Sequence, residues 1–190
     1  MKHRLLPAAL VPLALALTAC SGSPERYTVP DTAVDGPRLP IAWRSVAIRD
    51  VSLPTYAASE EIYSRSASGA LTSTSAVLWA DDPSRAITRD LARLLARMTG
   101  AQVAAEPWPF FDRAQATLEV RVADMLAESD GTFRLTGQFF VAPDAGGRNR
   151  AVPFAISAPI AAPAGPAEIA AARGVALREL ATRIARTGLR

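Results

Sequence analysis

Three stretches of alternating side chains decide the fold: ATLEVRVAD at residues 116–124, FRLTGQFFV at 133–141 and VPFAI at 152–156. In each stretch apolar residues fall mainly on every second position, which is the period of a strand with one buried face. A Ser-Asp-Gly turn follows the first stretch, and a segment rich in Gly and Asp follows the second. We therefore expect an antiparallel meander with its apolar face on the core and its polar face toward solvent.

Two long helices are predicted, one before this meander in the chain and one after it. The first begins after Asp82, a suitable N-cap, and Pro83 suits its first helical position. Its apolar residues recur at helical spacing up to Met98, and Gly100 provides a C-terminal stop. The second helix is predicted over residues 168–186, where apolar side chains again share one stripe.

Shorter strands are predicted upstream, at residues 41–51, 61–65 and 102–106, with residues 71–79 as a weaker candidate. Together these elements predict an α/β fold. It is a single-domain sandwich in which a mixed sheet of about six strands, with an antiparallel C-terminal meander, carries two long helices on one face.

The composition excludes most familiar catalytic chemistry. The only Lys, His and Cys of the 190 residues are Lys2, His3 and Cys20. Beyond residue 20 the chain therefore has no imidazole base, no thiolate and no amine for Ser-His-Asp triads, zinc sites, Schiff bases or Walker motifs. We expect a protein that is not an enzyme and has no catalytic residue, metal site or cofactor.

Residues 1–19 are predicted to be a lipoprotein signal peptide. A basic start precedes thirteen apolar residues, 5–17, which would span about 20 Å of a bilayer core that is about 30 Å thick. The following string LTAC, residues 17–20, resembles a bacterial lipobox, in which cleavage occurs before the Cys and the sulfur receives acyl chains such as palmitate. Cys20 is thus the predicted lipidation site, and an uncleaved signal anchor is the alternative. Ser21 and Gly22 resemble the sorting pattern for the outer membrane.

Residues 20–40 are predicted to be a lipid-anchored tether, and residues 41–190 the domain. Four prolines and two glycines lie between residues 21 and 40, a composition typical of a linker. Alternatively, residues 27–29 pair at a sheet edge, which would leave about seven free residues with a reach of about 20–25 Å. After residue 19 the chain has 19 arginines against 18 acidic residues. This near-neutral balance argues against nucleic acid as a partner.

Two groups of residues are candidate contacts for a partner or for lipid. Arginines occupy every fourth position of the first helix, opposite its apolar stripe: Arg85, Arg89, Arg93 and Arg97. They could contact anionic head groups or an acidic partner, and the alternative is an ordinary solvated helix face. Trp79 and Trp108, with Phe110 and Phe111, could form an apolar groove or interface, or simply pack in the core.

Adjacent carboxylates occur at Glu60-Glu61 and at Asp81-Asp82. A carboxylate-only hydrolase needs two carboxyl groups on separate elements across a cleft, whereas neighbours on a strand point to opposite faces. Catalysis by these pairs is therefore disfavoured, although loss of activity on replacing Glu61 or Asp81 would restore the hypothesis.

The order of several short motifs resembles the ABC-type transport auxiliary lipoprotein family, in particular its paraquat-inducible protein C branch. The motifs are YTVP at 27–30, VSLPTY at 51–56, EIYSR at 61–65, LWAD at 78–81 and DG at 130–131. The chain departs from the family pattern after Trp79, where the sequence is Ala-Asp-Asp-Pro.

This resemblance implies docking rather than catalysis. It implies a periplasm-facing, outer-membrane lipoprotein that works with mammalian-cell-entry (MCE) domain proteins and with ABC or paraquat-inducible-type transporter subunits. Such systems move phospholipids between the two membranes and support envelope integrity, and the resemblance also implies homo-oligomeric rings. The alternative is a structural or assembly lipoprotein that binds another outer-membrane machine or peptidoglycan.

Overall fold

The computed structural model describes residues 23–190. Nine strands lie in this part of the chain: β1 (Glu25–Tyr27), β2 (Ser45–Ile48), β3 (Ser64–Arg65), β4 (Leu71–Thr72), β5 (Val77–Trp79), β6 (Gln102–Ala105), β7 (Ala116–Ala127), β8 (Thr132–Pro143) and β9 (Arg150–Pro159). The helices are α1 (Pro83–Thr99) and α2 (Pro166–Arg183), which a π-helical segment, Ile184–Gly188, continues. Within residues 23–190, no helix has the length and apolarity needed to cross a membrane.

Strand β7 is the axis of the main sheet. One of its edges pairs antiparallel with β8 along the whole strand, and β8 pairs antiparallel with β9. Its other edge pairs in parallel with β2 near its start and with β3 at its end, while β6 lies outside β2 and β4 lies outside β3. The resulting seven-stranded mixed sheet, with its antiparallel C-terminal meander and two helices, confirms the predicted α/β fold.

The upstream strands are shorter than predicted because the flanking backbone groups form hydrogen bonds outside the strand ladders. Ahead of β2, the N–H of Ala42 donates to Leu189 O at 2.7 Å, and that of Arg44 donates to the Gln115 side chain at 2.7 Å. The predicted strand at 71–79 is interrupted by a turn in which the N–H of Val77 donates to Thr74 O at 3.2 Å. That segment therefore forms two strands, β4 and β5, in different sheets.

The core lies between one face of the main sheet and the two helices. The apolar residues of β7, β8 and β9 that alternate toward this face are buried, as predicted, except Val152, which is half-buried. The apolar stripe of α2 is also buried. The caps of α1 also match the prediction: Asp82 Oδ1 accepts from the N–H of Arg85 at 2.8 Å, and Gly100 has a φ of 75°.

The N-terminal segment, residues 25–39, is packed along the helical layer and is not a free tether. Strand β1 pairs in parallel with β5, and side chains such as Val29 and Leu39 pack against the core. At Gly174 of α2, an added Cβ would lie 3.2 Å from Val29 Cγ1. The packed chain thus begins well before residue 41. Strand pairing does occur in this segment, at residues 25–27 rather than at residues 27–29, and in a separate two-stranded sheet with β5. The prolines are compatible with this packing because, after β1, the segment forms neither a helix nor a strand ladder.

The opposite face of the meander is polar and partly exposed. Arg65 lies 3.3 Å from Asp124 and 3.1 Å from Glu128, and Arg134 lies 3.6 Å from Asp124, in each case measured between nitrogen and oxygen atoms. Among the described strands β9 pairs only with β8, so that its other side is a sheet edge.

Candidate contact surfaces

The N-terminal half of the arginine stripe is tied to a carboxylate that precedes α1. Arg85 and Arg89 both contact Asp81, with Arg89 Nη1 at 2.8 Å from Asp81 Oδ2. The hydrogen bonds from Arg85 and then from Arg89 lower the pKa of Asp81 to about 2. Asp81 is therefore ionised and paired at neutral pH, which is unsuitable for a general acid.

The C-terminal half of the stripe holds the N-terminal segment. Asp31 contacts both Arg93 and Arg97, and Arg97 Nη1 lies 3.2 Å from each of its oxygens. Arg93 also reaches Asp90 on α1 at 3.3 Å. The stripe is thus an ion-pair network within the molecule, and reversing Arg89 and Arg93 to Glu would act on the fold as well as on a partner. Contact of these four arginines with a partner stays a prediction.

Trp79 is a core residue, which agrees with the alternative of core packing, and its burial leaves little of the side chain available to a partner. It is 4% exposed, and the guanidinium carbon of Arg173 lies 4.4 Å from the centre of its ring. Arg173 is itself 1% exposed, and this burial lowers its pKa to about 10. The burial of Arg173 against Trp79 was not predicted from the sequence. The available signal was one charged residue on the apolar stripe of α2, four residues after Ile169.

A loop of residues 106–115 joins β6 to β7 and presents aromatic side chains to solvent. Phe111 is fully exposed, at 104% of its reference area, and Phe110 is 47% exposed. Trp108 is half-buried, and its ring packs edge-on against Phe110 with 4.9 Å between centres. We call residues 108–111 the aromatic tip. It agrees with the predicted apolar interface near Trp108, and contact with a partner there stays a prediction.

This loop crosses β2 on the side away from the helices. Strand β2 lies between β6 and β7, so a connection between those two parallel strands must pass over it. The N–H of Gln115 donates to Ser45 Oγ at 3.0 Å, and Ala47, on the same face of β2 as Ser45, is buried. Val46 and Ile48 point the other way, into the core beneath the helices.

The remaining carboxylate candidates have structural partners. Glu60 Oε2 lies 3.0 Å from Arg26 Nη2, and Glu61 Oε2 accepts from Ser73 Oγ at 2.8 Å. Asp82 caps α1, as described above. Between residues 23 and 190, no group of three or more His, Cys, Asp or Glu side chains is arranged to hold a metal ion. The predicted lipidation site, Cys20, lies outside the described residues.

Among the solved structures that match this chain, two illustrate the shared fold. One is an uncharacterized protein that is 16% identical, with a TM-score of 0.69, and the match covers 86% of this chain and 97% of that chain. The other is a Xanthomonas campestris protein of the family model DUF330, 17% identical, with a TM-score of 0.69 and coverage of 87% and 94%. No curated protein sequence matches the chain at a significant level.

The family comparison is more specific. Residues 27–185 match the model described as the ABC-type transport auxiliary lipoprotein component, a range that extends from β1 into the π-helical segment. The match covers most of the chain and includes the motifs on which the resemblance rested. The chain therefore belongs to the ABC-type transport auxiliary lipoprotein family.

Proposed function

We propose that this protein is an outer-membrane lipoprotein that faces the periplasm and acts as the docking subunit of an MCE-type ABC system for intermembrane lipid transport. It acts by contact and not by catalysis, and it needs no cofactor. Family membership and the lipobox at residues 17–20 support this proposal.

The short distance between anchor and domain carries the proposal. Packed structure begins at Glu25, only five residues after Cys20. Five residues reach at most about 18 Å when fully extended. Acyl chains on Cys20 would therefore hold the domain close to its bilayer, where it could meet a partner that arrives from the other membrane. Two or more acyl chains are enough for stable anchoring.

The proposed partners are MCE-domain proteins and ABC or paraquat-inducible-type permease subunits, and further copies of the chain can complete a ring. A role in envelope integrity follows if lipid transport depends on this docking. The competing proposal, an assembly lipoprotein for another outer-membrane machine or for peptidoglycan, predicts different companions in the same experiment.

The test is a crosslinking pull-down from intact envelopes, combined with membrane fractionation. Wild-type protein should fractionate with the outer membrane and recover MCE or transporter subunits. Cys20→Ala should be mislocalised, and Ser21→Asp, which introduces the inner-membrane retention signal, should move to the inner membrane. Ser21→Ala is the matched control and should behave as wild type. Wild-type fractionation of Cys20→Ala would refute anchoring, and recovery of peptidoglycan or unrelated machinery alone would refute the transport role.

A further inference from the structure

The aromatic tip has the composition and exposure of a binding surface. In the isolated domain, exposed Phe side chains keep a large apolar area in contact with water. Burying that area against a partner is favourable. Phe110 and Phe111 are two of the four large apolar side chains that are exposed within residues 23–190, and they are adjacent in the chain. Trp and Phe are also enriched at the centres of protein interfaces.

The structure holds this tip in position before any partner binds. Trp108 Nε1 donates to Asp112 O at 2.7 Å, which closes the loop around the tip. At one end of the loop the N–H of Glu106 donates to Ile48 O at 2.8 Å, and at the other the carbonyl of Gln115 accepts from the N–H of Asp144 at 2.9 Å. A loop fixed in this way loses little further conformational entropy on binding.

The tip and Glu25, where the packed chain begins, lie toward opposite ends of the main sheet. Glu25 pairs with Val77, which lines a surface cavity together with Thr72 and Ser64, and Ser64 pairs with Ala127 at the end of β7. The loop that carries the tip leads into the start of β7, eleven residues away. At about 3.3 Å per residue, the two ends of β7 are about 35 Å apart.

The tip and the N-terminal segment also lie on opposite sides of the sheet. The N-terminal segment runs along the helices, whereas the loop crosses β2 on the other face. The five residues from Cys20 to Glu25 can span at most about 18 Å. If Cys20 is anchored in a bilayer, as proposed above, that bilayer lies within this reach of Glu25, near the β4 end of the molecule and not near the tip.

We propose that the aromatic tip is the docking element for a partner protein, and that Phe110 and Phe111 insert into an apolar cleft of that partner. The inference rests on the proposed function, and it commits to a subunit of the transport system that extends toward the anchored domain. Charge does not define the cleft, because the tip itself, residues 108–111, carries no ionisable group.

The test uses full-length lipidated protein in intact envelopes. Phe110→Ser with Phe111→Ser should reduce recovery of the transport subunit at least tenfold, a loss typical of central aromatic contacts. Leu71→Ser is the matched control, because Leu71 is also exposed, at 40%, but lies in β4 at the anchored end. Phe111→Trp, which keeps an aromatic ring, should retain binding. Circular dichroism of each purified variant checks that the fold is intact.

A photo-crosslinking amino acid at position 111, compared with one at position 71, identifies what covers the tip. An adduct with an MCE or transporter subunit at 111, and none at 71, supports the proposal. Adducts with lipid or with a second copy of the chain, or no adduct at all, would overturn it. If the double Ser variant recovers the transport subunit as well as wild type does, the tip is not the docking element although the proposed function stands. If wild type recovers no such subunit, the proposed function fails, and this inference fails with it.

Discussion

Gly137, in the middle of β8 and opposite Val122 of β7, is a position where one added carbon should have a large effect. A Cβ at this residue would lie 2.2 Å from the backbone oxygen of Arg121 and 2.9 Å from Val122 Cα. Both atoms belong to the backbone of β7, next to the register shift between Val122 and Asp124. A side chain could rotate away from such a contact, but this carbonyl cannot move without disturbing the pairing of β7 with β8.

We therefore expect Gly137→Ala to cost about 3 kcal/mol or more of unfolding free energy, the upper end of the usual range for overpacked sites. That is a large part of the roughly 5–15 kcal/mol that stabilises a typical domain. With a urea m-value of about 2 kcal/mol/M, the unfolding midpoint should fall by about 1.5 M. The assay is urea unfolding of the purified lipoprotein in mild detergent, followed by circular dichroism.

Gly146→Ala provides the control. Gly146 lies in the turn between β8 and β9 with a φ of 84°, and an added Cβ there meets no atom within 4 Å. Its cost should be only that of left-handed backbone strain, about 1–2 kcal/mol. If Gly137→Ala unfolds at the same urea concentration as Gly146→Ala, or at a higher one, the argument from close strand contact is wrong.

Three further predictions concern polar contacts. Thr88→Val should lower the free energy of unfolding by about 1–3 kcal/mol, because the buried N–H of Val51 loses its acceptor, Thr88 Oγ1. Thr187→Val, at an exposed position, is the control and should be nearly neutral, so equal urea midpoints for the two variants would contradict this. Since the pKa of Asp81 is lowered to about 2, its stabilising effect should be complete above about pH 4 and lost as the pH falls toward 2. The unfolding free energies of wild type and Asp81→Asn should therefore converge on acidification, and a constant difference down to pH 2 would contradict this. Arg93→Glu places a carboxylate against Asp31 and should speed amide exchange across residues 28–39; unchanged exchange would show that this ion pair does not hold the segment.

The regular elements were predictable because their signals are local. The meander follows a period of two, and α1 has a capping residue, a proline and a terminal glycine in the expected places. The lengths of the early strands were not predictable, because distant partners determine them. Ala42, for example, donates to Leu189, almost at the other end of the chain.

The candidate surfaces were predicted less well for the same reason. Spacing identified the arginines of α1, but Asp31, the carboxylate partner of Arg93 and Arg97, lies in a segment whose prolines favoured a free linker. Composition could not separate Trp79, which is buried beneath Arg173, from the exposed Phe111. Both are aromatic residues near a turn, and only the tertiary structure distinguishes a core position from a surface one.

Strand β9 has a consequence for how the molecule avoids aggregation. A sheet edge can template pairing with another chain, and the two prolines at positions 153 and 159 remove backbone donors from this edge. The charged cluster of Arg65, Arg134 and their acidic partners would in addition have to be desolvated if another sheet stacked on that face. These features disfavour uncontrolled growth of strands from molecule to molecule, even when many copies are concentrated on one membrane surface.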